Sequence, residues 1–285
     1  MGKIYLFERK GGFVLKFMYF FDEKIQRHIM RGKKFCNPSA TGKYGCGISC
    51  IQQHDVNLWF YSKNGTTIAV DSGHLNFPDM DRAFESIDID PKNIRHIFIT
   101  HADVDHCGGI DVCGNNIFPN AQVYVGQGEK PYLDGTTHRM TKFGLKIKNC
   151  VKLADGYNLV NDGELFDIDG IKIRAVHTPG HTLGHTCYIF DEKVLFTGDC
   201  LAVNDSGGYS FFDFFTQYPD ENKKSLMKLQ ETAGGFPIEY VCTGHSGIRK
   251  FSPSIFAHID ESAEFSRKKP FDEKAPFDVF SDKSS

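Results

Sequence analysis

The sequence predicts one large domain that mixes β-sheet with helices, of α/β or β-sandwich type. Three observations predict it. The chain has 285 residues, long for one average domain and short for two. Its 40% hydrophobic and 24% charged content is that of a globular protein able to bury a sizeable core. Apolar, β-rich runs also recur along it, separated by Gly-containing corners and a few stretches with helical spacing.

The elements follow in order. "KIYLFE" (3–8) and "FVLKFMYFF" (13–21) read as strands paired across "RKGG". The second run is far short of a membrane span, is interrupted by Lys16 and is followed by no small-residue cleavage site, so it is read as neither anchor nor signal peptide. Residues 22–30 supply one or two helical turns, and the Gly-rich stretch 36–47 reads as loop, so that 1–55 form the N-terminal strands and loop of the same domain. Residues 56–73 form a hairpin turning at "KNG". Residues 78–90 carry Met80, Ala83, Phe84 and Ile87 at helical spacing, with Pro78 suited to a first turn. A buried strand follows at 94–100, a helix begins at Gly108 and Gly109, and 121–126 is a further strand. Hairpins over 163–178 and 186–199 turn at 168–170 and at "DEK"; a helix spans 223–233, a strand 238–245, and a charged tail runs from 268 to 285.

Charge and cysteine usage narrow the partners. A net charge of −3 with scattered Lys and Arg gives no electrostatic reason for nucleic acid or an anionic membrane. Nine cysteines at irregular spacing, without a CxxC pair, suit a reducing compartment. The expected setting is cytoplasmic, with a small-molecule substrate, no nucleic acid and no membrane.

The chemistry collects at strand ends. "FITHADVDHCGG" places His101, Asp103, Asp105 and His106 directly after an apolar run. Gathered imidazoles and carboxylates are costly unless something binds them. "VHTPGHTLGH" adds His177, His181 and His185 around a Pro-Gly turn; "LFTGDC" ends in Asp199 and "VCTGHSG" in His245, each after a Gly that lets the chain turn sharply. Asp71 closes the strand before "SG". Loops at strand ends are where such scaffolds build sites.

These elements, in this order, resemble the metallo-β-lactamase superfamily, and the "HTPGHT" run is similar to its glyoxalase II branch. The likeness covers 56–247. It implies an α+β fold, an αββα four-layer sandwich of two mixed sheets flanked by helices, with a dinuclear metal site at one sheet edge. It further implies one divalent ion on His101, Asp103 and His181, another on Asp105, His106 and His245, and Asp199 bridging both. The family's second His is Asp103 here. A carboxylate is a harder ligand, which moves the expected metal from zinc towards iron or manganese; if Asp103 does not reach, the site is mononuclear.

The resemblance implies a hydrolase using a metal-bound hydroxide on a small ester, thioester or lactone, with Asp105 holding the nucleophile. The alternative is a non-haem di-iron oxidoreductase acting on O2 or NO with a separate electron donor, since the family's flavodiiron branch carries a carboxylate at position 103. Asp71 is either a residue that orients an imidazole or a strand-end cap. His185 either touches substrate or makes a structural hydrogen bond, whereas His177, Cys107 and Cys200 read as structural. The Phe-rich segment 204–219 either forms a lip offering Tyr209 and Phe212 to substrate or packs into the core or a homodimer interface.

Overall fold

The computed structural model of the chain describes Phe35 and residues 37–75, 77, 78, 80–140 and 146–263. The expected strands over 3–8 and 13–21, the turns over 22–30 and the tail over 268–285 lie outside the described residues. Within them the apolar runs sort into two main sheets. The first takes β1 (Gly42–Gly45), β2 (Ile48–Gln53), β3 (Val56–Lys63), β4 (Thr66–Val70), β5 (His96–Ile99) and β6 (Gln122–Gly126). After a ribbon of β7 (Arg139–Met140) and β8 (Lys146–Ile147), β9 (Asn158–Val160) completes it. The first four strands are antiparallel, and β4, β5, β6 and β9 run parallel.

The second sheet begins with β10 (Leu165–Ile168), β11 (Ile171–His177), β12 (Thr186–Phe190) and β13 (Val194–Gly198). β14 (Leu201–Asn204) and β15 (Gly207–Ser210) leave it for a small sheet of their own. β16 (Tyr240–Thr243) returns parallel to β13, followed by antiparallel β17 (Ile248–Lys250), while β18 (His258–Ser262) joins the small sheet. Two longer helices, α1 (Met80–Ile87) and α2 (Pro219–Gly234), complete the frame.

The two-residue side-chain period sets the layering. On β3, Trp59 and Tyr61 share a buried cluster with Ile173, Tyr188, Phe190 and Phe196 of the second sheet. Their neighbours Leu58 and Phe60 pack instead with Met80 and Phe84 of α1. On β12, Tyr188 and Phe190 enter the shared core, whereas Cys187 and Ile189 pack with Leu226 and Leu229 of α2. The result is helix, sheet, sheet, helix: the α+β sandwich that the resemblance implied. Trp59 Nε1 donates to Thr243 O at 3.0 Å, which ties the two sheets together beside the functional edge.

The hairpins form at their expected corners. Asn64 and Gly65 both take positive φ (53° and 85°), as a two-residue turn between right-twisted strands requires. Residues 36–47 are not all loop, because β1 pairs with β2 as an edge strand; the paired Cys50 lies in the inter-sheet core. Gly108 and Gly109 do not begin a long helix. They make one 3-10 turn, Gly108–Ile110, after the short helix Val104–Cys107. The backbone of residues 72–75 runs so close there that a Cβ on Gly108 would meet Leu75 N at 2.2 Å. Among the described residues no helix is long and apolar enough to cross a membrane.

Candidate metal centre

Parallel pairing brings the polar strand ends to one edge. β4 beside β5 places Asp71 next to Thr100 and His101, and Asp71 N donates to Phe98 O at 2.9 Å. β13 beside β16 places Asp199 next to His245, with Gly244 N donating to Gly198 O at 3.0 Å. The loop between β11 and β12 carries His181 and His185 to the same edge. Carboxyl ends of parallel strands are where open sheets build their sites.

Three sets of donor atoms converge there: His101, Asp103 and His181; Asp105, His106 and His245; and His101, His106 and Asp199. Asp103 Oδ2 lies 3.4 Å from His101 Nε2 and 3.3 Å from His181 Nε2. Asp105 Oδ2 lies 3.8 Å from His106 Nε2 and 3.5 Å from His245 Nε2. Asp199 reaches towards both groups, Oδ1 at 3.3 Å from His106 Nε2 and Oδ2 at 3.0 Å from His245 Nε2 and 3.8 Å from His181 Nε2.

Those spacings suit a shared ion. Two ligand atoms about 2.0–2.1 Å from a tetrahedral ion stand roughly 3.3 Å apart. The buried Nε2 atoms of His101 and His106 and Oδ1 of Asp199 make no hydrogen bond. Orphaned polar atoms this deep are costly without a ligand. A Cβ on Gly244 would lie 2.1 Å from Asp199 Oδ1 and 2.8 Å from His106 Cε1, so the hollow between these ligands stays open only because residue 244 has no side chain.

The surrounding residues fix the imidazoles. A carboxylate only accepts, so His106 donates Nδ1–H to Asp71 Oδ2 at 2.8 Å and turns Nε2 inward. Thr100 donates its N–H to Asp71 Oδ1 at 2.7 Å and its hydroxyl to the same carboxylate at 2.9 and 3.0 Å. That leaves Thr100 Oγ1 to accept Nδ1–H of His101 at 3.0 Å. His245 donates Nδ1–H to Asp55 O at 2.7 Å. Buried Glu129 accepts from Ala102 N and Gly184 N, both at 2.8 Å, and from the Thr182 hydroxyl, tying the two histidine loops together.

Charge follows position. Burial and the neighbouring imidazoles hold His101 well below its ordinary pKa, and burial with the Arg139 charge does the same for His181. Burial would also lower His106 and His245, but the Asp199 charge overrides it and raises both well above 6.5 in the metal-free protein. Desolvation alone would raise the Asp105 carboxyl; the charge on His106 and the His245 hydrogen bond hold it at about 2.

His101, Asp103, Asp105, His106, His181, Asp199 and His245 all meet at this edge. Asp71 stands behind it. His185 is fully buried; its Nδ1 contacts Thr178 Oγ1 at 2.7 Å and its Nε2 accepts the Asp199 N–H at 3.1 Å, so it positions Asp199 rather than meeting substrate. Tyr209 and Phe212 do not reach the edge. Both pack on Phe35, Tyr209 at 5.1 Å and Phe212 at 5.7 Å between ring centroids, and Tyr209 also stacks on His258. Phe211, just past the end of β15, is the ring that lies at the edge instead, 5.2 Å from His181 and 5.7 Å from His245. Asp55, Glu129, Arg139 and Phe211 are site residues that sequence reasoning missed. Only Phe211 carried a signal there, as part of the Phe-rich segment.

Residues 52–245 match the sequence signature of the Metallo-beta-lactamase superfamily. The chain belongs to the metallo-β-lactamase superfamily. It is 33% identical over 176 residues to the hydroxyacylglutathione hydrolase of Salmonella typhi, covering 60% of this chain and 57% of that enzyme. It is 29% identical over 169 residues to the lactamase-like protein aptB of Emericella nidulans, covering 57% of this chain and 44% of that protein. The chain thus spans about half the length of the curated relatives it matches, 44% and 57% in these two cases. Among solved structures it resembles a B3 metallo-β-lactamase with an active-site glutamic acid (TM-score 0.59, 18% identity, 81% of this chain and 90% of that one). It also resembles a β-lactamase from Chitinophaga pinensis (TM-score 0.55, 19% identity, 75% and 80%). At these identities the structures speak for the fold alone.

Proposed function

We propose that this member of the superfamily is a metal-dependent hydrolase of a small ester, thioester or lactone, with its ions held by His101, Asp103, Asp105, His106, His181, Asp199 and His245. One observation carries the reading: imidazole and carboxylate donors converge at metal-ligand spacing, and the buried Nε2 atoms of His101 and His106 and Oδ1 of Asp199 make no hydrogen bond. The thioester class has the further support of the hydroxyacylglutathione hydrolase relatives. A bound divalent ion supplies Lewis acidity and brings the pKa of water towards neutrality. Imidazole and carboxylate donors together suit zinc, iron or manganese.

The chain's own residues have separable tasks. Asp105 is the most open of these carboxylates, its side chain 25% exposed against 16% for Asp103 and 4% for Asp199. Ionised at neutral pH, it accepts a hydrogen bond from the attacking water and holds that water against the substrate carbonyl. Thr100 Oγ1, Asp71 and the Asp55 carbonyl accept the outer Nδ1–H of His101, His106 and His245 and so turn each Nε2 towards the ion. Phe211 offers an apolar edge to an acyl group.

The test is turnover of a panel of small thioesters, esters and lactones, acyl-glutathione thioesters among them, before and after chelation. We expect activity that chelation abolishes and zinc, iron or manganese restores, with Asp105→Asn slowing it by about 10²–10⁴-fold. A metal-loaded protein that hydrolyses none of the panel contradicts the reading.

A further inference from the structure

Arg139, on β7, is the residue at this edge that the ligand pattern does not explain. Its side chain is only 7% exposed. One guanidinium nitrogen, Nη1, meets Asp103 Oδ2, and the other, Nη2, donates to Phe215 O. The oxygen it holds is the one turned to the first donor set, 3.4 Å from His101 Nε2 and 3.3 Å from His181 Nε2. A single carboxylate oxygen therefore faces a fixed guanidinium and the place that His101 and His181 would share with an ion. The other carboxylates differ. Among the described residues the ion pairs of Asp105 and Asp199 are all with imidazoles.

Building on the metal-hydrolase reading, we propose that Arg139 makes the two metal positions unequal. The position at Asp105, His106, His245 and Asp199 takes an ion tightly. The position at His101, Asp103 and His181 takes one only in competition with the Arg139 guanidinium, which otherwise stands there as the positive charge.

The chemistry supports this ordering. An imidazole at position 103 would be a neutral donor with nothing to attract a cation. An aspartate brings a negative charge, which a guanidinium pairs with even through one nitrogen. An imidazole can give up a proton to make way for an ion, whereas a guanidinium keeps its charge. It can leave Asp103 only by moving, and Phe215 O holds its other arm.

The test is titration of the metal-free full-length protein with zinc(II), followed by calorimetry, with bound metal counted by elemental analysis after dialysis. Wild type should bind one equivalent tightly and a second at least about tenfold more weakly. Arg139→Gln should leave the first step in place and tighten the second by roughly 10–100-fold, the usual reach of residues that hold a ligand. Two equal steps in wild type overturn the proposal, a result that needs no variant to fold. So does a weak second step that a folded Arg139→Gln leaves unchanged. Arg139→Lys, which keeps the charge, should stay unequal; equal steps there refute a competition of charges. Wild type that takes up no zinc, manganese or iron overturns the hydrolase reading itself.

Discussion

Asp71→Asn separates the orientation of a ligand from its loss. Asp71 sits at φ +62°, a conformation asparagine adopts as readily as aspartate, so the backbone has no reason to move. The carboxylate accepts from Thr100 N (2.7 Å), from the Thr100 hydroxyl (2.9 and 3.0 Å) and from His106 Nδ1 (2.8 Å). An asparagine has one oxygen for these donors and an NH2 in place of the other. With the oxygen on Thr100, the NH2 meets His106 Nδ1–H donor to donor. Relief then requires the proton on Nε2, the atom that must face the ion. With the amide reversed, Thr100 N–H loses its acceptor and the hydroxyl that orients His101 is disturbed. A buried donor left unsatisfied costs about 1–3 kcal/mol, which is roughly 5–150-fold in affinity at about 1.4 kcal/mol per tenfold. Competition with a chromophoric chelator measures zinc affinity, and circular dichroism checks that the metal-free variant is folded. A folded Asp71→Asn protein whose affinity stays within about twofold of wild type would refute the reasoning.

Three further outcomes follow from the same geometry. Gly244→Ala should fold, because Gly244 does not take a positive φ, yet lose zinc binding, since its Cβ would stand 2.1 Å from Asp199 Oδ1; a melt and a zinc titration check the two halves. Zinc affinity should rise with pH by about one to two log units per pH unit near neutrality, because His106 and His245 are protonated in the metal-free protein and must release those protons. For the metal-free fold the sign is opposite: the raised imidazoles stabilise it fully below about 6.5, and this contribution fades as pH climbs through their folded values, which a pH series of melts reads. Phe211→Leu should raise KM severalfold on an acyl substrate identified from the panel, while Tyr209→Phe leaves both constants unchanged.

What was legible in the sequence was what local pattern encodes. Apolar runs marked β3 to β6, β10 to β13 and β16, though not β1, β2, β9 or β17, and "KNG" marked its turn because Asn64 and Gly65 supply the left-handed pair. Gly-Asp and Gly-His at strand ends showed where Asp199 and His245 would project. The residues that support them are written in no such pattern. Asp55 contributes a backbone carbonyl, Glu129 reaches across from the segment after β6, and Arg139 comes from a two-residue strand. Each meets the centre only through tertiary packing. Tyr209 and Phe212 show the complementary failure. The segment was recognised as aromatic, but which ring faces the centre is set by how the chain leaves β15, and that is Phe211.

The central claim is that this edge of the sandwich is a metal centre. Anomalous scattering from crystals of the full-length protein, purified without added metal and measured on both sides of the zinc, iron and manganese edges, tests it most directly. The account predicts an anomalous peak within bonding distance of Asp105, His106, His245 and Asp199. No peak there at any of the three edges, even after soaking with zinc(II), would contradict it.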